Sequence, residues 1–353
     1  MPLTSLMPNS SMPGSSGTPH LHLCADIGGT HARLALAEVR ADSRVSILAV
    51  ERYLASETGS LAATLKRFAA QFPEPWARGV RSACFGVAGP VVDGRVEMTN
   101  LDWVIDEREL RQMLGGVPSK VINDFEAAAR GVDAMGDADL ACLQPGAVKH
   151  PAHQLVIGAG TGLGVAWRLQ MPGQAPGRHQ VFPGEGGHMA FAPVSAVQDR
   201  CLARLRPELG GAVSVEHLIS GPGLVRLHAA IAQDLGVPSQ ALEGLTAKDV
   251  MERATSGQDA VAAQALDEFL LAYGAAAGSL ALTLMARGGV YLAGGLAARW
   301  PDCVRQGAFM RGFRLAGPYQ AMLSSWPVHI VLNPDLGLLG AALTASVEVG
   351  HGV

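Results

Sequence analysis

A two-domain α/β architecture is what this sequence predicts, and three observations carry the prediction. Short β-rich runs alternate with helix-like stretches from Leu21 onward. Glycines gather at the ends of apolar runs rather than spreading through loops. A chain of 353 residues exceeds what one hydrophobic core ordinarily supports, so two domains with a cleft between them are expected. Hydrophobic residues at 48% against 16% charged supply apolar material for both cores. With Lys+Arg at 27 and Asp+Glu at 31, and no run of basic residues, the stripe that nucleic acid requires is missing and a small-molecule partner is favoured.

In chain order, the first twenty residues are rich in Ser, Pro and Gly. They lack both the basic start and the apolar run of a signal peptide, so residues 1–20 read as a disordered, dispensable leader. LHLCADI, RLALAEV and SILAV follow as strands, then an amphipathic helix from Leu61 to Phe72. SACFGVAG passes through Pro90 and the Asp93-Gly94 turn into another strand and a helix capped by Asp106. The strand KVIN leads into the helix FEAAARGV, and a domain boundary is placed near Gly131 to Ala138. QLVIGAGTGLGVAWRL reads as strand-turn-strand, Met171 to Pro183 as a loop, and Val197 onward as mostly helical. The last strand, VHIVL, enters a helix from Leu336 to Val347.

One segment, Phe269 to Ala286, is 18 residues without a charge, at the threshold for crossing a membrane. Its Ala, Gly, Ser and Thr make it mildly hydrophobic, and it runs directly into the strand-like GGVYLAGG, so a buried core helix is expected. The five cysteines, Cys24, Cys84, Cys142, Cys201 and Cys303, are odd in number and dozens of residues apart, which outlines neither a disulfide framework nor a zinc site and suits a reducing, cytoplasmic compartment.

Glycine at 43 of 353, about 12% against a usual ~7%, makes the clusters informative. DIGGT, GAGTGLG and LAGGLA each close an apolar run, where glycine lets backbone N–H groups converge on an anion and Thr30 or Thr161 adds a hydroxyl. The third also begins a helix, AARW, whose start favours negative charge. No Gly-Lys pair exists for a Walker loop, and GAGTGLG does not match GxGxxG, so another class of phosphate site is required. Taken singly, each Gly-Gly also reads as a plain β-turn; the three together argue for phosphate.

Asn123 and Asp124 stand where a strand ends and a helix begins, the place where α/β proteins present ligand-binding groups. Asp124 reads either as the N-cap of that helix or as the carboxylate that accepts a proton from an attacking hydroxyl. Glu185 and His188 in PGEGGHMAF, with Glu216 in VEHLISGPG, suit the hydroxyls of a polyol, though singly each also reads as an ordinary loop residue.

In this order and spacing, DIGGT, GAGTGLG and LAGG resemble the phosphate and adenosine loops of sugar kinases of the hexokinase/actin superfamily. TNLDW, INDFEA, PGEGGH and VEHLISGPGL narrow the resemblance to the bacterial glucokinase family over Leu21 to Val347. The resemblance implies a two-domain actin-like fold, a small domain of residues 21–134 plus 332–353 and a large one of 135–331. It implies transfer of a phosphoryl group from ATP to the 6-hydroxyl of glucose, with Asp124 as the base. Asn100, Asn123, Glu185, His188 and Glu216 are implied to contact the sugar. Ala25, Asp26, Ile27, Gly28, Gly29, Thr30, Gly160, Thr161, Gly162, Gly294 and Gly295 are implied to hold the nucleotide. Asp26 is further implied to hold Mg²⁺ through water, and a homodimer is expected. No Cys-rich zinc loop is present, so no structural metal is expected.

Overall fold

A computed structural model describes residues 20–40, 42–98, 101–174, 177–238 and 242–348. Chain contacts divide them into two units, residues 20–136 with 335–348, and residues 137–334. The leader lies outside the described residues except for His20, which opens the first strand because its backbone pairs with Val39.

The first unit is built on β1 (His20–Ile27), β2 (His31–Val39), β3 (Val45–Leu54), β4 (Ser82–Val87) and β7 (Ser119–Asn123). They lie in the order β3-β2-β1-β4-β7, with β2 antiparallel to both neighbours and β4 and β7 parallel to β1. The period-two alternation of β1 and β4 sends Leu21, Leu23, Ala25, Ile27, Ala83, Phe85 and Val87 into one apolar cluster, with Leu65 and Phe68 of the helix Leu61–Gln71. Cys24 and Cys84 point the other way, onto Leu338, Ala341, Ala342 and Ala345 of the helix Leu336–Glu348. Covered on both faces, β4 is buried at every position.

A ribbon of β5 (Arg95–Glu97) and β6 (Val104–Asp106) follows β4 in the chain. Just before β5, the Asp93-Gly94 turn that pairs Val92 with Arg95 has φ of 50° and 72°, both positive as a two-residue hairpin turn of the mirror-image type requires. Asp106 caps the helix Glu107–Met113, its side chain accepting from Arg108 N at 2.7 Å.

The second unit has β8 (Leu140–Gln144), β9 (Gln154–Ala159), β10 (Leu163–Leu169), β11 (Gln180–Gly184), β12 (Gly289–Ala293) and β13 (Val328–Val331), ordered β11-β10-β9-β12-β13-β8. Strands β9, β12 and β13 are parallel, while β10, β11 and β8 run antiparallel to their neighbours. Five of its strands thus repeat the pattern of the first unit, two antiparallel strands leading to a parallel set. Met171 to Pro183 is therefore not loop throughout: Gln180–Pro183 pair with β10 as an edge strand, where proline is tolerated.

The 24-residue helix Ala260–Thr283 is apolar and long enough to span a bilayer, yet most of its apolar window is buried in the second core, with Phe269, Tyr273 and Ala277 inside. Gly274 and Gly278 let it approach the backbone of the helix Ala308–Phe313 so closely that a Cβ at either would meet the carbonyl of Phe309 or Phe313. Small residues that make it only mildly hydrophobic are thus required by packing.

Candidate active site

In the first unit the parallel strands end level. Ile27 pairs with Val87 and Val87 with Asn123, so the Asp26–Thr30 turn and the Asn123–Asp124 step sit on one rim at the carboxyl edge of the sheet. Gly28 N donates to His31 O at 2.9 Å, which closes the tight turn between β1 and β2; Thr30 is exposed. The side chains of Ala25 and Ile27 are buried in the core, which limits their part to presenting backbone.

Asp26 lies opposite Arg33 in the hairpin register, with Arg33 Nη1 3.8 Å from its Oδ2. Arg33 also donates to Asp335, just before the C-terminal helix. Burial raises the Asp26 carboxyl above its ordinary value; Asp335 adds to this, while Arg33 and Arg52 oppose it. Gly337 abuts Asp26, since a Cβ there would come within 3.3 Å of the carboxyl carbon.

Asn123, not Asp124, is the N-cap of the helix Asp124–Gly131. Its Oδ1 accepts from Phe125 N at 2.9 Å and from Glu126 N at 3.2 Å, and its Nδ2 donates to Gly89 O at 3.0 Å. Asp124 is the first helical residue, with Oδ1 accepting from Phe125 N at 2.8 Å. The capping reading of Asp124 is thereby corrected: an amide that can accept two N–H groups and donate back to the β4 loop occupies the cap. Asn100 lies outside the described residues.

In the second unit, GAGTGLG is the end of β9, a three-residue turn and the start of β10, with Ala159 opposite Leu163. Gly160 and Thr161 are exposed, and Gly160 N donates to Gly162 O at 2.8 Å. Glu216 reaches this turn: its Oε2 accepts from Leu163 N at 2.8 Å. Glu185 and His188 are brought to the same strand because Gly186 packs on Val165 and Gly187 on the carbonyl of Leu163. His188 Nε2 is 3.9 Å from Glu185 Oε2, and both side chains are exposed. Val215 N donates to Met189 O at 2.8 Å, tying the Glu185 loop to the Glu216 turn. Gly294, with φ of 87°, closes on Ala159 O next to the β9 end, and a helix of five residues, Gly295–Arg299, follows it, shorter at its end than AARW suggested.

Among the described residues, no group of three or more His, Cys, Asp or Glu side chains is arranged to hold a metal. A magnesium ion that keeps several waters and takes phosphate oxygens needs only one or two carboxylates, and the Asp26 side chain, 34% exposed at the start of the Asp26–Thr30 turn, fits that demand. Sequence reasoning missed Arg33 and Asp335. The hairpin offered a signal for the first, since a tight turn at Gly28 to His31 places Arg33 across from Asp26; nothing local pointed to the second.

The Glucokinase family profile matches residues 23–348. The chain is 35% identical over 348 residues to a glucokinase of Synechocystis sp., covering 92% of this chain and 97% of that one. Among solved structures, glucokinase from an Antarctic psychrotroph is 30% identical with a TM-score of 0.78, covering 94% of this chain and all of the other. Glucokinase from Balamuthia mandrillaris, solved in complex with glucose, is 25% identical with a TM-score of 0.76, covering 94% and 95% of the two chains. The chain shares with these proteins an actin-like two-domain kinase fold, and it belongs to the glucokinase family.

Proposed function

We propose that this chain phosphorylates glucose at its 6-hydroxyl with ATP, and that Asp124 accepts the hydroxyl proton. The observation that carries the reading is the level register of β1, β4 and β7, which puts the DIGGT turn and Asp124 on one rim of one sheet. Family membership supplies the sugar and the nucleotide.

Phosphoryl transfer to an alcohol asks little covalent chemistry of a protein; it asks for positioning and for stabilisation of charge. Backbone N–H groups of Gly28 to Thr30 and of Gly160 to Gly162 are assigned to the phosphates, with the hydroxyls of Thr30 and Thr161. Gly294 and Gly295 are assigned to the adenosine side. Asp26 is assigned to Mg²⁺ through water, and the ion neutralises phosphate oxygens when bound. Asn123, Glu185, His188 and Glu216 are assigned to the other sugar hydroxyls, and a carboxylate or imidazole left without its hydroxyl disfavours a hexose of different stereochemistry by about 1–3 kcal/mol. A homodimer and a cytoplasmic location, where ATP and reduced thiols coexist, complete the reading.

ADP release from ATP measured without sugar and with glucose, mannose, fructose or N-acetylglucosamine tests it. Glucose is expected to give the highest kcat/KM, and sugar-free hydrolysis to be far slower. Preference for another sugar would make this a kinase for that hexose, and sugar-independent hydrolysis would make it an ATPase.

A further inference from the structure

The Glu216 carboxylate is held by the turn that joins β9 to β10. Its Oε2 accepts from Leu163 N at 2.8 Å, at the far end of the turn. The near end is tied to the same segment, since Gly221 N donates to Gly160 O at 2.7 Å. Between the two ties, Ser220 Oγ donates to Glu216 O at 2.8 Å and accepts from Gly223 N at 3.1 Å, which fixes Glu216 relative to Gly221. Ser220 is buried, so this brace is sheltered from water. A Cβ at Gly162 would lie 2.6 Å from Glu216 Oε2, so a side chain there has to push the carboxylate aside. Both ends of the Gly160–Gly162 turn therefore hang on residues 216–221, one through a backbone bond and one through the Glu216 carboxylate.

We infer that Glu216 is a positioning residue for the Gly160–Gly162 phosphate turn as well as a sugar contact. One oxygen, Oε2, holds the turn in shape by accepting from Leu163 N, and the other, Oε1, serves the sugar. Removing the carboxylate takes the acceptor from Leu163 N–H at one end of the turn, so the turn loses the conformation in which its N–H groups converge on phosphate. This rests on the sugar-kinase reading for the two ligands, but the Leu163 bond itself is independent of it.

The two roles separate by substitution. In Glu216→Gln the amide oxygen still accepts from Leu163 N, while the sugar meets an NH₂ donor in place of a carboxylate oxygen. In Glu216→Ala both roles are lost. Binding of a non-hydrolysable ATP analogue with Mg²⁺ and no sugar is measured by calorimetry on both variants, beside glucose KM and the thermal midpoint. Glu216→Gln is expected to bind the analogue within about twofold of wild type and to raise glucose KM, whereas Glu216→Ala is expected to lose about tenfold in analogue affinity as well. Gly162→Ala, which keeps Glu216 but displaces its carboxylate, is expected to weaken the analogue like Glu216→Ala. Wild-type affinity for the analogue in a folded Glu216→Ala protein overturns the positioning role, as does an equal loss in Glu216→Gln. A wild-type protein that binds the analogue but shows no glucose-dependent ADP release fails the sugar-kinase reading alone.

Discussion

Gly340 of the C-terminal helix lies with its bare α-carbon against the carbonyl oxygen of Ala127, one turn beyond Asp124 on the helix that carries it. Gly131 makes the reciprocal contact, against the carbonyl of Leu336. These two helices thus meet backbone to backbone, one turn from Asp124, the first residue of its helix.

Gly340→Ala is expected to destabilise the protein by about 1–3 kcal/mol, the usual range for a side chain forced into a filled space. Because the displaced partner is the Asp124 helix, kcat is expected to fall along with the thermal midpoint. Urea and thermal unfolding check the first effect and a coupled ADP assay the second. An unchanged midpoint would mean that the two helices part without penalty.

Asp124→Asn is expected to lower kcat by about 10²–10⁴ while glucose binding stays within about tenfold, because the amide can still bond the hydroxyl but cannot take its proton. The helix should not notice the change, since Asn123 makes the cap. Equal thermal midpoints with a collapsed kcat are therefore expected, and wild-type turnover in the folded variant would falsify the base assignment.

Asn123→Ala removes an acceptor for two helix N–H groups and the donor to Gly89 O. It is expected to cost about 0.5–2 kcal/mol. Asn123→Asp keeps the cap and loses only the bond to Gly89, so its thermal midpoint should lie between those of the wild type and the alanine variant. A midpoint for the aspartate variant equal to that of alanine would show that the Gly89 tie, rather than the cap, dominates.

His22 links pH to stability. It is buried with Nδ1 2.8 Å from Ser82 Oγ, and Ser82 Oγ donates its own proton to Ala345 O at 2.7 Å, so the imidazole N–H donates to the hydroxyl. Burial, and then His20 and Arg81, lower the imidazole from 6.5 to about 4. The unfolded chain takes up the proton first as the pH falls, so this contribution is complete above about pH 6.5 and is lost as the pH drops toward about 4. The loss is about 3 kcal/mol for a shift of this size. Urea midpoints followed over that window should fall more steeply for the wild type than for His22→Gln, and parallel curves would rule His22 out as the source.

What the sequence by itself determined are the features whose cause is local in the chain. A period of two made β1 and β4 legible, Asp93-Gly94 announced its turn, Asp106 announced its helix, and glycine clusters at strand ends marked the turns here proposed to hold phosphate. The pairing of an apolar strand end with Asn123-Asp124 likewise needed only neighbouring residues to be seen. Which of those two is the cap did not follow, because both residue types cap equally well and only the bond from Asn123 to Gly89, 34 residues away, favours one. Tertiary structure alone decided the rest. Arg33 meets Asp335 across 302 residues and Glu216 meets Leu163 across 53, and hydrogen bonds between such distant partners leave no period or spacing to read. The same reason hid β11, whose Gly- and Pro-rich sequence becomes a strand only because β10 offers it an edge of unpaired backbone groups.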